Sequence, residues 1–199
     1  TTLNGEGLQH EDGHSHLLAG AIPNCKPYDP TFGYEVAVIV QDGMKRMMTE
    51  QRDEYFYLTL MNENYTHPDM PEGAAPGILK GMYLFKDAGK AKKGELRVQL
   101  LGSDTILREA IAAAELLDKD FGISSDIWSC PIFTELRRDG FDVERWNRLH
   151  PEAEPRKAYV TECLEGRSGP AIAATDYVRA FADQIRAFVP MRYTVLGTD

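Results

Sequence analysis

The residues LRVQLLGSDTILREAIAAAELLDKDFGISSDIWSC, positions 96–130, set the fold class. Residues 96–103 read as a strand, with Leu96, Val98 and Leu100 alternating with Arg97 and Gln99. Gly102, Ser103 and Asp104 interrupt it, and Ser103 or Asp104 can cap a following helix. Over residues 105–120 the apolar side chains recur at Ile106, Leu107, Ala110, Ile111, Ala114 and Leu117, one helical face at 3.6-residue spacing. Gly122 stops the helix, and residues 123–130 make a second strand. Strand, helix and strand in this order form the crossover that parallel pairing requires.

On the C-terminal side the alternation continues. Residues 133–151 read as two short amphipathic helices broken at Asp139-Gly140, and residues 157–164 as a strand. Residues 170–176 read as a strand, 177–190 as an amphipathic helix ending at Pro190, and 192–198 as a closing strand. On the N-terminal side, residues 34–51 suit a mostly buried helix, with Val36, Ile39, Val40, Met44, Met47 and Met48 as core. Residues 54–62 are aromatic and apolar enough for a central strand buried on both faces. Residues 62–77 are rich in Pro and Gly and mark a domain boundary, after which residues 78–88 give a helical turn and a strand. Residues 1–31 are turn-rich. The expectation is an α/β chain with a mostly parallel sheet.

Composition narrows the function. A net charge of −9 and a pI near 5.1 argue against a nucleic-acid partner. No apolar run approaches the roughly 20 residues of a membrane span, and the polar start is not a signal peptide. The cysteines, at 25, 130 and 163, are scattered and odd in number, which suits a reducing, cytoplasmic setting. Both ends read as cut from something longer.

Chemistry concentrates in GLQHEDGHSH, residues 7–16. His10-Glu11-x-x-His14 has the spacing of a zinc hydrolase, but that arrangement needs a helix, and Asp12-Gly13 is a turn dipeptide. In an extended segment His10, Asp12, His14 and His16 can share one side, and imidazoles beside carboxylates suit proton transfer. Gly102-Ser103 could bind an anion, though a simple cap explains it. Arg137 and Arg138 read as a solvated face.

The runs TTLNGEGLQHEDGHSH, IPNCKPYDPTFGYEVAVIVQDG, NENYTHPDMPEG, FTELRRDGFDVERWNRLHP, ATDY and YTVLGTD resemble the homodimeric type of pyruvate dehydrogenase. EDGHSH is more distantly similar to the EDGPTH loop of transketolases. The resemblance implies the C-terminal part of a thiamine-diphosphate pyrimidine-binding domain over residues 1–70. A transketolase-like C-terminal α/β domain, truncated at its end, would follow over residues 71–199. It implies decarboxylation of pyruvate through thiamine diphosphate and Mg2+, with acetyl transfer to the lipoyl group of the dihydrolipoamide acetyltransferase component. It maps the family's active-site histidine onto His10, the acidic residue and histidine of the transketolase loop onto Asp12 and His16, and leaves Glu6 to orient the loop. The cofactor and metal sites are expected outside this stretch, so the chain alone is expected to bind neither and to be inactive. Two alternatives stay open: a non-catalytic dimerisation module, and the zinc hydrolase.

Overall fold

The computed structural model describes residues 11–90 and 94–199. The N-terminal part comprises α1 (Ser15–Gly20), β1 (Cys25–Tyr28), α2 (Gly33–Met44) and β2 (Tyr55–Leu58), with a π-helical turn at Lys45–Thr49. β1 and β2 pair in parallel, Cys25 opposite Tyr55. The remainder comprises α3 (Ala75–Lys80), β3 (Tyr83–Lys86), β4 (Arg97–Gly102), α4 (Asp104–Phe121), β5 (Ser124–Ser129), α5 (Phe133–Leu149), α6 (Tyr159–Leu164), β6 (Ala171–Ala174), α7 (Ala180–Asp183) and β7 (Tyr193–Leu196). Its sheet runs β3-β5-β4-β6-β7, parallel except for β3.

The crossover unit forms as its periodicity requires. Leu107, Ala110 and Ala114 of α4 pack on Val98, Leu100 and Ile127 of the sheet. Gly122, at φ 64°, ends the helix and returns its N–H to the Asp118 carbonyl. On the opposite face Leu101 and Trp128 meet Phe133 and Leu136 of α5, Val160 and Leu164 of α6, and Phe181 of α7. A third cluster joins the two parts: Tyr28 and Ile39 lie against Ile78, Tyr83 and Ile132.

Several expectations fail for physical reasons. α5 is continuous through Asp139-Gly140. The Asp139 carboxylate accepts the Tyr159 N–H at 2.6 Å and caps α6, while Gly140 lets the Phe188 ring approach the helix. Residues 159–164, expected as strand, are α6; Val160 and Leu164 are buried one turn apart. The expected helix over residues 177–190 shrinks to α7 and a 3-10 turn at Arg186–Phe188. Tyr177 is drawn out of it, its N–H bound to Thr175 Oγ1 and its carbonyl to the Thr198 N–H. β2 is no central two-sided strand among the described residues; it pairs only with β1, and Tyr55 is 42% exposed. β1 arises inside the stretch read as turns. α2 is a helix, but it buries Glu35, Ile39 and Gly43, leaving Met44 at 59% exposed and Met48, in the π-helical turn that follows, at 75%.

Glu35 explains that choice of face. Its Oε2 accepts the N–H groups of Thr31 at 2.5 Å and Phe32 at 3.0 Å, closing the first turn of α2. Its Oε1 accepts the hydroxyls of Tyr83 at 2.7 Å and Ser129 at 2.6 Å, both in the C-terminal part. Burial pushes the Glu35 carboxyl up, against these four donors.

A side chain at residue 140 tests the packing. Its Cβ would stand 2.3 Å from Phe188 Cε2. Alanine gains about 1 kcal/mol of helix propensity, but such overpacking costs about 1–3 kcal/mol. Gly140→Ala is expected to lower Tm in thermal denaturation, and Phe188→Leu in the same chain to recover part of the loss.

Candidate functional site

His10 and Glu6 lie outside the described residues. From Glu11 the chain runs irregularly to His14 and enters α1 at Ser15. Glu11–His14 are therefore not helical, whereas the zinc arrangement needs its residues on a helix. Among the described residues no three His, Cys, Asp or Glu side chains converge on a metal position.

Asp12 closes the start of α1. Its Oδ1 accepts the N–H of Ser15 at 2.9 Å and of His14 at 3.3 Å, and its Oδ2 accepts the Ser15 hydroxyl. Burial pushes its carboxyl up, but the Ser15 and His14 hydrogen bonds outweigh that and hold it below the ordinary value. His14 is exposed, whereas His16 is buried at 1% exposure.

The His16 ring is enclosed by Tyr177 at 4.9 Å, Phe181 at 5.1 Å and Tyr57 at 5.4 Å. Its Nε2 lies 2.8 Å from Thr59 Oγ1, and the Thr59 hydroxyl donates to Asp29 Oδ1 at 2.5 Å. A hydroxyl has one proton, and the carboxylate takes it, so Nε2–H is the donor to Thr59. Burial lowers the His16 pKa, against the pull of Asp29 and Asp12, which favours this neutral form at pH 7. Its Nδ1 is buried without a hydrogen-bond partner.

Asp29, itself 1% exposed, gathers three hydroxyls. Besides Thr59, Tyr177 donates to Oδ1 at 3.1 Å and Ser103 to Oδ2 at 2.6 Å. Ser103, expected as a cap for α4, thus sends its side chain to the other part of the molecule; it makes no capping hydrogen bond. Ser103 leaves β4 and Tyr177 follows β6, the two strands between which the sheet order reverses. Open α/β sheets take ligands at that crevice; here Asp29 fills it.

Arg138 is also not a solvated face. Its guanidinium donates to the carbonyls of Cys25 at 2.9 Å, Ile22 at 2.8 Å and Gly20 at 3.3 Å, and to Glu135 at 2.6 Å. Glu135 also receives Lys26 Nζ at 2.5 Å. Irregular backbone after α1 is thereby satisfied from α5. Sequence reasoning had no signal for Asp29, Thr59 or Tyr177. Their partners lie up to 148 positions apart in the chain.

Asp104 stands beside this network with φ at +43°. Burial first, and then the Asp29 charge, push its carboxyl up to about 7, against the hydrogen bonds of Thr105. In the window from about 3.8 to about 7 the folded chain holds a proton that the unfolded chain has lost, so stability falls as pH rises through it. Asp104→Asn mimics the protonated acid, and asparagine tolerates positive φ. Denaturant unfolding at several pH values is expected to show the variant little changed near pH 4. Its advantage over the parent should grow through the window and level off above pH 7.

The family model described as the pyruvate dehydrogenase E1 component middle domain matches residues 1–68, and that of the transketolase-like C-terminal domain matches residues 81–199. The chain is 64% identical over 199 residues to the pyruvate dehydrogenase E1 component of Cupriavidus necator. It is 62% identical over 200 residues to that of Pseudomonas aeruginosa and 54% over 201 residues to that of Escherichia coli K12. In each case all of this chain is covered, but it spans only 22% of the relative's length. A transketolase variant from Pichia stipitis superposes with a TM-score of 0.62 at 15% identity, covering 96% of this chain and 23% of that one. Transketolase from Campylobacter jejuni gives 0.56 at 18% identity, covering 92% and 23%. At such identities these two structures show a shared fold alone. The chain belongs to the transketolase-like family, as part of a pyruvate dehydrogenase E1 middle domain joined to a transketolase-like C-terminal domain.

Proposed function

We propose that the chain is part of an enzyme that decarboxylates pyruvate through thiamine diphosphate and passes the acetyl unit to a lipoyl group of the acetyltransferase component. The observation that carries this is identity of 64% along the whole chain to a protein named pyruvate dehydrogenase E1 component. The proposal includes a homodimer, a cytoplasmic location, Mg2+ beside the cofactor, and a domain junction near residues 70–71. No helix among the described residues is long and apolar enough to cross a membrane.

Two buried carboxylates among the described residues are already committed. Asp29 spends its lone pairs on three hydroxyls, and Glu35 on four donors. The diphosphate and metal sites are proposed to lie outside this stretch, and the chain alone is proposed to be inactive.

What the chain supplies is the histidine loop. His10 is the proposed acid/base or hydrogen-bond donor for the substrate oxygen, with Glu6 orienting the loop. Asp12 and His16 hold the segment that follows: Asp12 by closing the start of α1, His16 as a neutral ring locked between Thr59 and Tyr177. General acid–base groups contribute about 10²–10⁴-fold. In the full-length enzyme His10→Ala is expected to lower kcat for pyruvate decarboxylation by at least about 10²-fold. Single-turnover decarboxylation and lipoyl acetylation would be measured separately, and wild-type rates in both would remove His10 from the chemistry.

A further inference from the structure

The base of the histidine loop is held from the C-terminal domain at one short turn, between β6 and α7. The Val178 N–H donates to the Gly13 carbonyl at 3.2 Å. The Tyr177 ring stands edge-on to His16 with centroids 4.9 Å apart, and Phe181 closes a triangle with both, 4.9 Å from Tyr177 and 5.1 Å from His16. The Tyr177 hydroxyl reaches the buried Asp29 carboxylate, which through Thr59 also holds His16. Tyr177 is itself fixed by the Thr175 hydroxyl and the Thr198 N–H. One side chain thus meets both anchors of the loop, the His16 ring and the Asp29 network, while its neighbour binds the loop backbone at residue 13, three positions after His10.

We propose that Tyr177 is a positioning residue for the reaction: from the C-terminal domain it fixes the base of the loop that carries His10. The inference rests on the reading of His10 as the acid/base. Tyr177 touches no reacting atom; it acts through His16 and the Asp29 network, beside the bond from Val178 to residue 13. The ring supplies most of the effect, because it packs on His16 directly, and the hydroxyl supplies the rest through Asp29. A loop displaced at its base carries His10 off the substrate oxygen, and misplacements of about 1 Å at a catalytic group can cost up to about 10²-fold in rate.

A double-mutant cycle in the full-length enzyme, with pyruvate as substrate, separates positioning from a general structural role. Tyr177→Leu is expected to lower kcat about tenfold, with KM within about twofold. On the His10→Ala background it is expected to add no further loss, because both changes remove one effect. Tyr177→Phe, which keeps the ring, should recover all but about two- to threefold of the rate. Hydrogen–deuterium exchange should quicken in residues 11–16 of the Leu variant and stay unchanged in β4 and β5. An unchanged kcat for Tyr177→Leu, or a loss that multiplies with that of His10→Ala, overturns the proposal. Where the Leu variant yields no folded enzyme, Tyr177→Phe goes through the same cycle. A loss that vanishes beside His10→Ala supports the role, and a persistent loss or none at all overturns it. A full-rate His10→Ala enzyme overturns the reading of His10 together with this inference. A disabled His10→Ala enzyme beside a full-rate Tyr177→Leu enzyme overturns this inference alone.

Discussion

Burying a carboxylate costs several kcal/mol unless its lone pairs are met, and two such groups sit where the halves of this chain join. Asp29 and Glu35 both come from the N-terminal part, and each draws hydroxyl donors from the C-terminal part: Ser103 and Tyr177 for one, Tyr83 and Ser129 for the other. Neither carboxylate is satisfied by its own domain alone. The halves therefore meet in one register, because sliding either strands a charge away from water. Apolar contacts such as Ile39 with Ile78 supply adhesion but little direction.

The same constraint explains features that otherwise look wasteful. α2 turns Glu35 inward and leaves Val40 and Met44 exposed. Ser103 gives up the cap of α4 to bind Asp29. Tyr34 must donate to Tyr83, at 2.7 Å, because the proton of Tyr83 is committed to Glu35. Burial drives the Tyr83 and Tyr177 hydroxyls far up, so both stay protonated as donors.

Periodicity made the unit β4-α4-β5 legible, since its apolar spacing matches its buried face residue for residue at Leu107, Ala110 and Ala114. Strands β6 and β7 were legible for the same reason. What stayed hidden depended on partners remote in sequence. Residues 159–164 carry β-forming side chains, yet the Asp139 cap and burial of Val160 and Leu164 make them helical. The pair Asp139-Gly140 looked like a break because its two jobs, capping α6 and admitting Phe188, belong to other elements. β1, with Pro27 inside it, exists through pairing with β2. Of the candidate site, the irregular course of residues 11–14 was legible from Asp12-Gly13. The enclosure of His16 was not, because Thr59, Tyr177 and Phe181 lie far along the chain.

Irregular backbone near chemistry needs support that secondary structure cannot give it. Here the support comes from the C-terminal domain on both sides of α1. Val178 and Tyr177 hold the approach to the helix, and Arg138 collects three carbonyls on its exit. A helix of six residues is too short to hold itself. Its orientation, and with it the course of residues 11–14 that lead into it, is consequently a property of the interface. The C-terminal part thus has a physical hold on residues 11–16 that their own short-range contacts do not supply.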